Sequence, residues 1–265
     1  MNHAPRTPPS YAPRSGRVIL VGAGPGAADL LTLRAVRAIA VADVVVHDGL
    51  VGDDVMALVP AGARLISVAK RRARHTMAQE DIGTLLAAEA LAGHTVVRLK
   101  GGDPFIFGRG GEEVDACIAA GVAVEVVPGI SAANGAASAA QMPLTHRDHA
   151  SIVSFVAGEC RGLADQNWAG LAGKGRTLVI YMGLAGAERI SEKLMADGLA
   201  PDTPVAVIER ATQPGMRRVN SLLADLAGLV AREAIASPAL IVVGDVATLG
   251  LNAMQQESAE QCPAY

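Results

Sequence analysis

Residues 98–113 read RLKGGDPFIFGRGGEE and mix what ordinary core segments keep apart. The run holds five glycines, charges of both signs and two of the chain's three phenylalanines. Gly101 and Gly102 let a ligand approach the backbone closely, and the Asp103 carboxylate can accept from hydroxyls or an amine. Asp103 can equally close an Asx turn ahead of Pro104. Arg109 precedes a helix whose first turn carries Glu112 and Glu113, where the helix dipole alone favours acids.

Two other stretches offer chemistry. VGAGPGAADLLTL (21–33) is a glycine loop of the kind that brings backbone N–H groups to a ligand. Its spacing departs from a dinucleotide fingerprint: Ala27 stands where the third glycine belongs, and Pro25 removes one N–H. The loop also reads as a plain strand-to-helix turn. Asp48 suits either a ribose contact or the capping of its own loop. PLTHRDH (143–149) gathers His146, Arg147, Asp148 and His149, but the spacing matches no zinc pattern and no cysteine lies near. No metal site is expected, and Arg147 suits an anion.

The elements that must position these residues follow from periodicity. Buried strands are predicted at 17–22, 43–48, 95–100 and 122–127. Between them lie helical patterns through Leu30, Leu33, Val36 and Ala40, then Ile82, Leu85 and Leu86, then Val114, Cys117 and Ile118. Thr76 and Gln79 form a capping-box pattern, and Gly93 and Gly121 suit helix ends. Alternation of this kind predicts an α/β fold with a largely parallel sheet covered by helices on both faces. KGGDPF would then lie past a strand's C-terminal end, the edge where open α/β sheets bind ligands.

After Pro128 the texture changes to small residues, and 131–150 reads as a segment connecting two lobes. The expected division is a tail at 1–16, a first lobe at 17–130, a second lobe at 151–247 and a tail at 248–265. Strands are predicted in the second lobe at 151–158, 177–183, 204–209 and 239–244, with helices at 185–197 and 221–235.

Composition bounds the class. A chain of 265 residues with 51% hydrophobic and 18% charged residues can bury a sizeable core. Aromatics make up only 3%, so that core must be aliphatic. A net charge of −3 gives no nucleic-acid footprint, and the cationic run KRRARH (70–75) reads equally as a solvated loop. Cys117, Cys160 and Cys262 have neither paired nor metal-ligand spacing, which suggests a reducing compartment. No apolar run spans a membrane and no signal peptide is recognisable, so the expectation is a soluble cytoplasmic protein.

With these motifs in place, the chain resembles the uroporphyrinogen-III C-methyltransferases of the tetrapyrrole-methylase group. The segments VGAGPG, VVVHDGLV, AKR…H…Q, VVRLKGGDPFIFGRGGEE, VVPGISAANGAA, PLTHR, TLVIYMGL, TPVAVIE and SPALIVVG occur in that family's order over residues 17–247. The resemblance implies two α/β lobes with the active site in the cleft between them, in a homodimer. It implies S-adenosylmethionine as cofactor, held by Pro25, Gly101, Gly102, Asp103 and Ile106, with Ser131, Ala132, Met182, Ala211 and Ala239. It implies uroporphyrinogen III as substrate, methylated at C2 and then C7 to give precorrin-2, which other enzymes carry toward sirohaem, cobalamin or haem d1.

By motif position Asp48 is a proton acceptor and Lys70 a donor, while Arg109, Glu112 and Arg147 line the tetrapyrrole side. An electrostatic role suits Arg109, because a guanidinium does not deprotonate in proteins. The chain also departs from the family: Glu159 stands where a histidine is usual, Ala211 replaces a glycine, and Arg72 and Arg74 add charge.

Overall fold

The computed structural model describes residues 16–69, 78–159 and 168–250. The first lobe alternates strand and helix as β1 (Arg17–Gly22), α1 (Leu33–Ile39), β2 (Val44–His47), α2 (Asp53–Met56) and β3 (Arg64–Ser67). It continues with α3 (Gln79–Leu91), β4 (Thr95–Lys100), α4 (Gly110–Ala119) and β5 (Ala123–Val127). The five strands form one all-parallel sheet in the order β3-β2-β4-β1-β5.

A parallel sheet covered on both faces needs strands that are apolar on both faces, and β1 and β2 supply them. Val18, Leu20, Val44, Val46 and Val96 enter one core, packed with Ile82 and Leu86 of α3. The alternate residues Ile19, Val21, Val45, Val97 and Leu99 enter the other, with Ala35 and Ile39 of α1. Because every strand runs the same way, the loops after β1, β2, β4 and β5 share one edge. That edge carries the glycine loop, Asp48, KGGDPF and Pro128-Gly129.

α5 (Ala132–Ala139) opens the second half, with Ser131 as its N-cap accepting the Asn134 N–H at 3.3 Å. Then come β6 (Ala150–Ala157), β7 (Gly175–Tyr181), α6 (Ala187–Ala196), β8 (Pro204–Glu209), β9 (Arg217–Leu222), α7 (Leu226–Arg232) and β10 (Ala239–Val243). Their sheet has the order β6-β7-β10-β8-β9, parallel at β6–β7 and antiparallel elsewhere. Ala133, Ala136, Ala140 and Met142 pack on one face of it, against Val179, Ala206, Ile208 and Val242. Trp168, Ile190, Leu194, Leu226 and Leu229 cover the other.

Some elements differ from expectation. The helix predicted through Leu30 begins at Leu33, because a 3₁₀ turn at Ala28–Leu30 intervenes and Thr32 caps the helix, accepting the Ala35 N–H at 3.1 Å. The helix predicted at 221–235 is shortened to α7, its first residues belonging to β9 and a 3₁₀ turn. β3, β9 and α5 are elements that periodicity did not mark. Thr76 of the expected capping box lies outside the described residues.

β9 is tied down from its interior side. Arg218 is buried and donates through Nε to Asn220 Oδ1 at 3.0 Å, Nη1 to Ala140 O at 3.3 Å and Nη2 to Ala247 O at 2.7 Å. It thereby satisfies a carbonyl at the C-terminal end of α5, where a cation is favoured.

Candidate functional site

A cavity of about 700 Å³ lies between the lobes, lined mainly by the shared strand-end edge of the first sheet and by the loops after β7 and β8. Its wall is built by close backbone packing. Gly24 donates its N–H to Gly102 O at 3.2 Å, and Gly102 returns its own to Gly24 O at 2.7 Å. A side chain on Gly129 would place its Cβ 2.3 Å from Gly102 O and 2.8 Å from Gly22 Cα, so three loops meet at a distance only glycine allows. Gly102 has φ +70°, in the left-handed region.

Asp103 locks these loops together. Its Oδ1 accepts the Phe105 N–H at 2.8 Å and its Oδ2 the Gly129 N–H at 3.0 Å. The Asx-turn role is therefore real, and the same carboxylate also ties the β4 loop to the β5 loop. Lone pairs remain on both oxygens for a ligand donor.

The floor holds charges that sequence reading passed over. Arg98 and Lys100 are two residues apart on β4, so they share one face of the central strand, and both are buried. Glu113 Oε1 accepts from Arg98 Nε at 3.1 Å, Lys100 Nζ at 3.0 Å and Gln79 Nε2 at 3.1 Å. Its other oxygen has no hydrogen-bond partner among the described residues. Burial, with the Arg98 charge beside it, draws the Lys100 ammonium below its usual range, while Glu113 opposes that shift. The legible signal was a pair of like charges at i and i+2 inside an otherwise apolar strand.

The expected residues fall into distinct places. Pro25, Gly101, Gly102 and Asp103 line the cavity, as do Ile106, Ser131, Ala132 and Met182. Ala211 and Ala239 are not among the lining residues; their neighbours Gln213 and Pro238 are. Asp48 lines the cavity with Oδ1 accepting the Leu50 N–H at 3.0 Å and Oδ2 3.8 Å from Arg98 Nη1. Arg109 also lines it, and grips Glu112 through Nε–Oε1 at 2.9 Å and Nη2–Oε2 at 2.6 Å. Each partner's hydrogen bond favours the other's charged form, holding Arg109 above and Glu112 below the ordinary range. Arg147 is exposed on the turn between α5 and β6, and Glu159 is exposed just past β6; neither is a lining residue. Lys70 lies outside the described residues.

Tyr181 and Phe107 join the lobes across the cavity, their ring centroids 4.9 Å apart. The Tyr181 hydroxyl accepts the Ala133 N–H at 3.0 Å, and burial raises its pKa. Backbone strain gathers here. Among described non-glycine residues, Gln141 and Ala234 take positive φ just past helix ends, where that conformation is ordinary. The remaining five are Phe107, Arg109, Met182, Arg210 and Thr212, each lining the cavity or within three residues of lining Gln213. Such conformations cost about 1–3 kcal/mol each and collect at functional sites.

The glycine loop is poorly disposed to cradle a pyrophosphate. The amides of Ala23, Gly24 and Ala27 are donated to Lys100 O, Gly102 O and Thr212 Oγ1, and Pro25 has none. Among the described residues, no cluster of His, Cys, Asp and Glu could hold a metal ion and no helix is long and apolar enough to cross a membrane.

Comparison with known proteins agrees with this architecture. Siroheme synthase 3 of Aeromonas hydrophila is 54% identical over 235 residues, covering 88% of this chain and 50% of the relative. The siroheme synthase of Azotobacter vinelandii is 50% identical over 240 residues, covering 90% of this chain and 52% of its own length. The chain thus spans about half the length of the curated relatives it matches. The crystal structure of uroporphyrin-III C-methyl transferase from Thermus thermophilus, complexed with S-adenyl homocysteine, superposes with a TM-score of 0.75 at 41% identity, over 88% of this chain and 99% of that one. The family model of Tetrapyrrole (Corrin/Porphyrin) Methylases matches residues 17–227, taking in the first sheet, the glycine-walled cavity and most of the second sheet. A chain matched over that whole frame belongs to the tetrapyrrole methylase family.

Proposed function

We propose that the chain is an S-adenosylmethionine-dependent methyltransferase that methylates uroporphyrinogen III at C2 and C7 to give precorrin-2. The observation that carries this reading is the Gly24–Gly102 backbone pair with Asp103 beside it. It forms a backbone wall to a cavity of about 700 Å³, in a chain 41% identical to one crystallised with S-adenyl homocysteine. The cradle fits the cofactor: Gly101, Gly102 and Asp103 supply polar contacts, while Pro25, Ile106 and Met182 supply apolar ones. When bound, S-adenosylmethionine supplies an electrophilic methyl group on a sulfonium.

The protein's own residues then do three things. The cavity between the lobes would bring a pyrrole carbon up to that methyl, and since the carbon is already nucleophilic, orientation would supply most of the acceleration. Arg109 spends two of its five N–H donors on Glu112, leaving others for a substrate carboxylate. Asp48 is assigned as acceptor of the proton lost from a bridging carbon after methylation, a reading supported by its lining the cavity with an Oδ2 that makes no hydrogen bond to a described residue. Lys70 completes the set as proton donor, and Arg147 as a second contact for carboxylates.

The homodimeric state, the cytoplasmic location and a product consumed by sirohaem-forming enzymes belong to the same proposal. Siroheme synthases among the relatives support the last of these. The test is anaerobic incubation with uroporphyrinogen III and methyl-labelled S-adenosylmethionine. Two labels per tetrapyrrole are expected. No incorporation by a folded sample that binds S-adenosylhomocysteine would refute the assignment.

A further inference from the structure

The loop after β8 touches the glycine loop across 185 positions of sequence: Thr212 Oγ1 accepts the Ala27 N–H at 3.2 Å. Thr212 does this at φ +62°, a conformation that β-branched residues avoid. Next to it, a Cβ on Gly26 would lie 2.5 Å from Gln213 Cγ, so Gln213 packs directly on the loop. From below, a Cβ on Gly135 in α5 would lie 2.4 Å from Pro25 Cβ. Pro25 and Gln213 both line the cavity.

Residues 24–27 are therefore held at both ends. Gly24 is bonded to the β4 loop of its own lobe, and Ala27 is bonded to the other lobe. With Pro25 between them, the Thr212 hydroxyl fixes where the Pro25 ring enters the cavity. A strained backbone persists only where its surroundings over-determine it, and here the strained residue holds its hydroxyl on the Ala27 amide.

We infer that Thr212 is a positioning residue: its hydroxyl latches the glycine loop to the second lobe and sets the cofactor wall, without touching the reacting atoms. The inference rests on the cofactor reading above. The experiment compares wild type with Thr212→Val, Thr212→Ser and Thr212→Gly. S-adenosylhomocysteine binding is measured by calorimetry, and hydrogen exchange is followed at the Ala27 amide without ligand. Valine keeps the shape and removes the acceptor, serine keeps the acceptor, and glycine removes both acceptor and strain. Losing one neutral hydrogen bond predicts roughly two- to tenfold weaker binding for valine and glycine, near-wild-type binding for serine, and kcat at saturating cofactor within about twofold. The Ala27 amide should exchange faster in the valine and glycine variants.

Glycine separates the roles: relief of strain should keep or raise the melting temperature while affinity falls, a split that a merely structural residue would not give. Should valine fail to fold, serine and glycine still decide. Unchanged affinity and Ala27 exchange in the folded variants would overturn the latch. Wild-type protein that does not bind S-adenosylhomocysteine would overturn the cofactor reading itself, and the Ala27 exchange would still judge the latch.

Discussion

Glu113 Oε1 stands 3.0 Å from Lys100 Nζ at the end of the central strand of a parallel sheet. Arg98 Nε reaches the same oxygen, so this carboxylate serves two buried cations, and Asp48 Oδ2 stands 3.8 Å from Arg98 Nη1. Removing one member of a buried charged set leaves its partners unpaired, at a cost of about 3–5 kcal/mol. Glu113→Ala should lose stability on that scale in urea melts. Glu113→Gln should lose less, because its amide oxygen still accepts. Lys100→Met combined with Glu113→Gln should cost less than the two changes summed; strict additivity would mean the pair is not coupled.

Asp103→Asn replaces one acceptor oxygen by a donor, so either Phe105 N–H or Gly129 N–H loses its partner. Neither amide is fully buried, so losing one such bond costs about 0.5–1.5 kcal/mol. The expected result is a lower melting temperature together with at least about tenfold weaker S-adenosylhomocysteine binding. Gly102→Val should do more, since φ +70° is costly for a branched residue. Unchanged affinity in both variants would move the cofactor off this wall.

Arg109→Ala should raise KM for uroporphyrinogen III by about ten- to a hundredfold, the cost of one charged hydrogen-bonding partner. Arg109→Lys keeps charge without the planar fork and should rescue only in part. Affinity for S-adenosylhomocysteine should stay near wild type in both. Calorimetry beside steady-state kinetics decides, and a collapse of cofactor binding alone would reverse the assignment.

Cys117 is fully buried, and burial pushes its thiol from 9.0 up to about 11. The unfolded chain therefore releases this proton before the folded one, and stability falls as pH rises from about 9 to 11. At pH 10 the loss relative to pH 8 comes to about 1 kcal/mol. Cys117→Ala should remove that slope from urea melts. Below pH 8.5 the Cys117 peptide should resist alkylation in the native protein, as read by mass mapping.

Arg218→Ala strands the Ala140 and Ala247 carbonyls and opens a cavity, so a loss of about 3 kcal/mol or more is expected in the same melts. A change below about 0.5 kcal/mol would show that these bonds are replaced by solvent.

What the sequence disclosed and what it hid have physical causes. β1 and β8 were legible because buried strands are near-continuous apolar runs, and β4 because Val96, Val97 and Leu99 keep that pattern around its two charges. β9, RRVNSL, was hidden because it is an edge strand whose one fully buried side chain, Arg218, is charged. α5, AANGAASA, was hidden because helix and loop use the same small residues, and only its close packing distinguishes them. In the site, glycines and Asp103 were legible as a motif. Glu113 was masked by the expectation that acids decorate helix N-termini, and Gln213 by lying far along the chain from every other lining motif. Ala211 and Ala239 came from the family resemblance, and the lining positions are their sequence neighbours.

The ring of left-handed residues around the cavity has a consequence for anyone engineering heat resistance into this chain. Phe107, Met182 and Thr212 are where a glycine would most readily relax the backbone. Those are also the positions where glycine deletes a cavity wall, an inter-lobe ring contact or the Ala27 acceptor. Thermal robustness and ligand grip are opposed at the same handful of positions, so durable variants should be sought in the cores on the two faces of each sheet and at the outer helix ends.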